Sequence, residues 1–216
     1  MTLYGYFRSS AAYRVRIALN LKGLSYDQRF VHLVKGGGEQ HSAGYRAINP
    51  QALVPSLMTG DTILTQSAAI CEYLEETHPT PPLLPADPVA RAYIRSIMQA
   101  IACDIHPLNN TRVLSYLTKT AGLSEAQKTA WYRHWVEEGL AAIDIMVATC
   151  GDAGQCCYGD KPTFADAFLI PQLFNARRFD ILLDPYPRLT AIESHCLRLD
   201  AFVTAHPYLQ PDAENT

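Results

Sequence analysis

The chain has 216 residues, 48% of them hydrophobic and 18% charged, enough apolar material for one ordinary domain or two small ones and too much for a disordered chain. Eighteen Lys+Arg against 21 Asp+Glu leave a formal charge of −3, a balance that offers no field for gripping a nucleic-acid backbone. No apolar run reaches the length of a membrane span, and Met1–Arg8 enters a strand-like pattern without the apolar stretch of a signal peptide, so a cytoplasmic protein is expected.

Thr2–Phe7 reads as a strand rich in Tyr and Phe. Ser9 and Ser10 both suit a helix cap, and Ala11–Lys22 carries Val15, Ala18 and Leu19 at helical spacing. Gly23 stands where a left-handed C-terminal cap is wanted. Tyr26–Val34 returns to strand character, which makes a βαβ unit with parallel strands. After the Gly36-Gly37-Gly38 loop a short helix is expected over Ser42–Ala47, ended by Asn49-Pro50. Leu53–Leu57 and Thr62–Leu64 read as two strands joined at Gly60, and Gln66-Ser67 opens a helix with Ile70, Cys71 and Leu74 on one face.

His78–Pro85 holds four prolines in eight residues, which no helix survives, and reads as a linker. Beyond it the pattern is helical throughout: Pro88–Leu117 with a bend near Pro107, Ser124–Thr149, a helix starting at the capping box Thr163-Phe-Ala-Asp166 and running past Pro171 to Arg178, and Pro187–Ala205. The tail after Pro207 is expected to be loose. The organisation is therefore α/β plus all-α, with domains at 1–80 and 87–216.

The six cysteines form no C-x-x-C pair and no zinc-finger spacing, so neither a disulfide framework nor a metal site is expected. Cys71 and Cys103 lie in apolar helical patterns and read as buried thiols. Cys156-Cys157, in a Gly-rich loop, reads as incidental.

Three features carry chemistry. Two serines at a helix N-terminus place hydroxyls beside unpaired N–H groups and the positive end of the helix dipole, where an anion such as a thiolate is stabilised; the plainer alternative is that they only cap the helix. The proline of Leu53-Val54-Pro55 does not suit a central strand, and a cis bond there would present the Val54 N–H and C=O at an edge able to hold a peptide-like ligand. Gln66-Ser67 starts a second helix suited to a carboxylate. One helix end for a thiolate, one edge for a peptide backbone and one helix end for a carboxylate together describe a site for glutathione.

Ser9-Ser10-Ala-Ala-Tyr-Arg-Val-Arg-Ile-Ala-Leu19 closely resembles the S-S-C-x-W-R-V-R-I-A-L signature of zeta-class glutathione transferases. Asn49-Pro50, Val54-Pro55, Gln66-Ser67, Glu72-Tyr73-Leu74, Asp104-Ile-His-Pro-Leu-Asn-Asn110, Gly159-Asp-Lys-Pro-Thr-Phe-Ala-Asp166 and Asn175-Ala-Arg-Arg-Phe179 look like later landmarks of the class. The resemblance spans nearly the whole chain, departing where Ala11 replaces the signature cysteine and Tyr13 the tryptophan. It implies a thioredoxin-like N-terminal domain followed by an all-helical C-terminal domain, a homodimer, and glutathione-dependent cis-trans isomerisation of a small dicarboxylic acid. Members of the class isomerise maleylacetoacetate, and close bacterial relatives maleylpyruvate. A transferase acting on small α-halo acids and a non-catalytic ligand-binding protein of the same fold are the alternatives; a thioredoxin-like reductase is disfavoured because Ser9–Ala12 contains no cysteine.

By the same resemblance Ser9, Ser10 and Ala11 should surround the glutathione sulfur, Gln40 should reach its glycine end, Val54 its cysteinyl backbone, and Gln66 and Ser67 its γ-glutamyl carboxylate. Asp104, His106, Asn110, Thr111 and Arg112 lie where members of the class complete the site. Read alone, His106 could satisfy a helix end, Asp104 could be an exposed carboxylate and Arg112 a solvated charge. Arg8 and Arg178 are the candidates for substrate carboxylates, with Arg177 competing and Arg178 favoured by its place in the A-x-R-F run. Ser9 is the candidate for thiol activation and Ser10 for the plain cap, with exchange of the two roles open. Arg14 and Arg16 read as structural.

Overall fold

The computed structural model describes residues 1–214. These form two compact units: residues 1–83 together with the chain from Leu197 onward, and Leu84–Cys196. The expected helical region 87–216 is thus divided. Instead of hanging loose, the chain from Leu197 packs into the first unit, where Phe202, Ala205 and Gln210 are buried. Asn215 and Thr216, in the expected tail, lie outside the described residues.

The first unit is built on a four-stranded sheet of order β2-β1-β3-β4, with β1 Thr2–Gly5, β2 Asp27–Phe30, β3 Ser56–Thr59 and β4 Thr62–Thr65. β1 and β2 are parallel, as a βαβ unit requires; β1–β3 and β3–β4 are antiparallel. Each strand is four residues long, shorter than its sequence pattern at β1 and β2. β3 starts only after Pro55, so Leu53 and Val54 stand outside the ladder, and the Val54–Pro55 bond is cis.

Helix α1, Ser10–Leu21, is buried over nearly its whole length, Arg14 and Arg16 included. It approaches β1 so closely that a Cβ on Gly5 would stand 3.3 Å from the Ala12 Cβ. Gly23, at φ +64°, ends it, and the Leu24 N–H reaches back to Leu19 O at 2.9 Å, closing the left-handed cap. α2, Ala43–Ile48, is capped by Ser42, and α3, Ser67–Thr77, buries Ile70, Cys71 and Leu74 as its spacing predicts. Burial pushes the Cys71 thiol up to about 12.

The proline-rich segment is pinned to this unit. The ammonium of Lys22 spends its three donors on Glu75 Oε2 at 2.8 Å, His78 O at 2.7 Å and Pro81 O at 3.1 Å. Glu75 in turn accepts from the Leu83 N–H at 3.1 Å.

The second unit is helical, with α4 Pro88–Gln99, α5 Thr111–Lys119, α6 Glu125–Thr149, α7 Phe164–Arg178 and α8 Pro187–Cys196. The expected run Pro88–Leu117 is broken into α4, a π-helical segment Ala100–Ile105, a 3₁₀ turn Pro107–Asn109 and α5. The wider π turn rotates the faces that follow it, and Cys103, expected inside, is exposed with its thiol donating to Gln99 Oε1. Reciprocal capping boxes start α6 at Ser124/Gln127 and α7 at Thr163/Asp166. The expected helix Pro187–Ala205 stops at Cys196 and is followed by α9, Asp200–Val203, in the first unit.

Cys156 and Cys157 are fully buried. Although scattered in sequence, Cys156, Cys196 and Asp166 have ligand-type atoms within 4.8 Å of one another. Asp166 accepts from the Thr163 N–H at 2.7 Å, the Thr163 hydroxyl at 2.9 Å and the Cys157 N–H at 2.8 Å, which makes it the anchor of the loop and of α7 together.

Two measurements check this architecture. Lys22→Met leaves Glu75 buried without its countercharge and should cost about 3–5 kcal/mol in denaturant unfolding, with part of the loss recovered in Lys22→Met/Glu75→Leu. Thiol labelling of the folded protein should modify Cys103 first and Cys150, which is half-buried, more slowly; Cys71, Cys156, Cys157 and Cys196 should react only on unfolding.

Candidate active site

In the first unit Ser9, Ser10 and Ala11 stand at the N-terminal end of α1, and Gln66 and Ser67 at that of α3. Ser9 has extended backbone (φ −68°, ψ 114°) and its Oγ accepts from the Ala12 N–H at 3.2 Å, so Ser9 is the N-cap of α1. This reverses the expected cap assignment: Ser10 lies inside the first turn, 2% exposed. Capping uses an oxygen lone pair of Ser9 and leaves its O–H as a donor. An anion at this end of α1 would therefore meet a hydroxyl donor, the first-turn N–H groups and the positive end of the dipole at once.

Gln66 precedes α3 at φ +69°, in the left-handed region that a non-glycine residue rarely adopts, at a cost on the order of 1–3 kcal/mol. Its side-chain amide donates to Gln51 Oε1 at 2.9 Å. Ser67 begins α3, and its Oγ accepts from Arg14 Nη1 at 3.2 Å. Arg14, read from sequence as structural, thus ties α1 to the start of α3. Val54 is half-buried, and its N–H and C=O are claimed by no hydrogen bond within the described residues. Gln40 is 7% exposed: its Nε2 donates to Leu33 O at 3.3 Å, while its buried Oε1 has no hydrogen-bond partner among the described residues. An orphaned acceptor of this kind calls for a donor. An unclaimed backbone edge, that acceptor and two helix N-termini form a donor and acceptor set that fits a peptide-like thiol carrying carboxylates.

Arg8 precedes the serine pair. Its Nη2 donates to the Tyr6 hydroxyl at 2.9 Å and its guanidinium lies 4.9 Å from the centre of the Phe7 ring.

In the second unit Asp104 lies on the π-helical segment, His106 between that segment and the Pro107–Asn109 turn, and Asn110 caps α5 by accepting from the Arg112 N–H at 3.1 Å. Asp104, Thr111 and Arg112 are exposed. The pair at the end of α7 is divided in role. Arg177 Nε donates to both carboxylate oxygens of buried Glu193 at 3.2 Å. The Arg178 guanidinium lies 5.4 Å from the Phe179 ring and reaches Asn175 Oδ1 at 3.3 Å. Phe179 stacks on Tyr132 at 3.7 Å, and burial raises the Tyr132 hydroxyl pKa, opposed by nearby Arg178. This aromatic platform was missed in the sequence; the Phe of the A-x-R-F run was half of its signal, but Tyr132 lies far away in sequence.

Two family models match the chain: the glutathione S-transferase N-terminal domain over residues 3–82 and the C-terminal domain over residues 129–192. The chain belongs to the glutathione S-transferase family. A probable maleylacetoacetate isomerase of Vibrio cholerae serotype O1 is 46% identical over 213 residues, 99% of this chain and 98% of the relative. Among solved structures, a holo maleylpyruvate isomerase described as a bacterial zeta-class glutathione S-transferase superposes with a TM-score of 0.96 at 47% identity, covering 99% of this chain and all of that one. A maleylacetoacetate isomerase of Methylobacterium extorquens AM1, solved with malonate and glutathione, gives a TM-score of 0.95 at 42% identity with the same coverage. The glutathione transferase fold and the zeta-class resemblance expected from the serine signature agree with these findings.

The cap assignment has a direct test. Ser9→Ala should lower unfolding stability by about 1 kcal/mol, the cost of a lost N-cap. Ser9→Asp should retain most of that stability, since its carboxylate caps as well.

Proposed function

We propose that this chain is a glutathione-dependent cis-trans isomerase that converts maleylacetoacetate to fumarylacetoacetate. The observation that carries the reading is the serine pair at the start of α1, held in one unit with Val54, Gln66 and Ser67, in a chain nearly half identical to isomerases along its whole length. Gln40, Val54, Gln66 and Ser67 are the residues proposed to hold glutathione by its backbone and carboxylates. Ser9, Ser10 and Ala11 are proposed to surround its sulfur. Bound there, glutathione supplies a thiol nucleophile that adds reversibly to a conjugated cis double bond, leaving a single bond free to rotate.

The rest of the work falls to the protein's own groups. The Ser9 O–H and the N–H groups of the first turn of α1 favour the ionised sulfur and so lower the pH at which it forms. Arg8 and Arg178 are proposed to bind the substrate carboxylates and to offset the negative charge that develops on the carbonyl oxygen during addition. Arg178 is preferred over Arg177 because Glu193 already claims the latter. Asp104, His106, Asn110, Thr111 and Arg112 are proposed as further binding residues. The domain boundaries near residues 80–87, a homodimer and a cytoplasmic setting complete the proposal. Among the described residues no helix is long and apolar enough to cross a membrane.

Maleylpyruvate is the second substrate reading, favoured by the 47% identity to a solved maleylpyruvate isomerase. A coupled assay with both acids, each with and without glutathione, decides between them. The expected result is faster turnover of maleylacetoacetate and none of either acid once glutathione is removed, because Ser9–Ala12 contains no thiol. Activity persisting without glutathione would refute the mechanism. Arg178→Ala should lower kcat/KM for the diacid by about tenfold to a hundredfold, the worth of a charge-assisted carboxylate contact, with the glutathione Kd little changed. A larger loss of kcat/KM in Arg177→Ala would show that the wrong arginine was assigned.

A further inference from the structure

The backbone of Phe7 is gripped from both sides with the help of the end of the chain. Its N–H donates to Asp212 Oδ2 at 3.0 Å, and its C=O accepts from Arg16 Nη2 at 3.0 Å. Arg16 Nε in turn donates to Ala205 O at 3.0 Å. The segment that carries Ala205 and Asp212 is itself fastened to the first unit: Asn20 Nδ2 donates to Ala201 O at 3.0 Å, and Gln28 Nε2 to Gln210 Oε1 at 3.2 Å. Phe7 and Arg8 are the middle of a tight turn closed by the Ser9 N–H donating to Tyr6 O at 3.0 Å. The Phe7 ring is fully buried, and the Arg8 guanidinium rests over it. A shift of the Phe7 backbone is therefore passed to Arg8, the next residue of the turn, and to the N-cap Ser9 that closes it.

We propose that Asp212, acting through the Phe7 amide, is a positioning residue that holds Arg8 and Ser9 where a substrate carboxylate and a sulfur anion meet them. This rests on the roles given to Arg8 and Ser9 above. An amide donating to a carboxylate is one of the stronger protein hydrogen bonds. Here it joins residues 205 positions apart, so the end of the chain sets the geometry of a turn near its start. Asp212 touches no reacting atom; its contribution is to the placing of two groups that do.

The test compares Asp212→Ala, Asp212→Asn and a chain ended at Pro211. Asn keeps an oxygen acceptor of the same shape for the Phe7 amide, whereas Ala and the truncation remove it. In the protein without glutathione, amide exchange over residues 7–10 should rise about tenfold to a hundredfold in Asp212→Ala and in the truncation, as expected for loss of a hydrogen bond to a charged group. Exchange in Asp212→Asn should stay near wild type, and exchange over residues 66–70 should be unchanged in all three. With glutathione bound, the ultraviolet titration of its thiol should move to higher pH and kcat should fall in Asp212→Ala, more than KM for glutathione rises, with both restored in Asp212→Asn. Unchanged exchange at residues 7–10, an equal rise at residues 66–70, or an Asn variant as impaired as Ala would each overturn the proposal. A wild-type protein without isomerase activity would defeat the functional reading instead, and the exchange comparison would still decide whether Asp212 holds the turn.

Discussion

Two guanidiniums buried on one helix organise the first unit. Arg14 and Arg16 are each 1% exposed, and a buried charge is tolerated only where its donors find acceptors. Burial brings the Arg16 pKa down to about 10, so it stays charged at neutral pH and its demand for acceptors persists. Arg14 donates to Ser67, at the start of α3; Arg16 donates to Phe7 and Ala205, before α1 and near the end of the chain. The segments that carry the candidate glutathione-binding serines are thereby referenced to one helix. Their spacing follows from where α1 sits, and α1 is fixed by its enclosure on almost every face.

Much of this was legible along the chain because it is local. Caps involve residues three apart, so the Thr163/Asp166 box announced its helix directly. The βαβ start, the odd placing of Pro55 and the change from mixed to all-helical character could be read in the same way. The serine pair shows the limit of residue type as a guide. Both residues cap well, and the choice fell to Ser9 because its backbone is extended while Ser10 is already helical.

What could not be read depends on distance in sequence or on a change of helical register. The pairing of Arg16 with Ala205 and of Asp212 with Phe7 spans almost the whole chain, and neither residue carries a local mark of it. The tail looked loose because its composition is polar, yet its polar groups are what fasten it. Cys103 looked buried because the apolar spacing was read at a constant helical period, which the π-helical segment interrupts. The neighbours Arg177 and Arg178 differ only in what α8 brings to them: Glu193 neutralises the first and leaves the second to its aromatic platform.

The first unit is discontinuous in sequence: it begins at residue 1, leaves the chain at Leu83 and resumes at Leu197. On a ribosome, Phe7 is made 205 residues before its partner Asp212, a wait of about 10–40 s at ordinary elongation rates. Through that interval the β1–α1 turn lacks one of its backbone partners, and Arg16 lacks its acceptor at Ala205. The second unit, continuous from Leu84 to Cys196, meets no such delay. Synthesis therefore presents a complete helical unit while the unit begun first is still unfinished, and residues beyond Leu197 supply the contacts that close it.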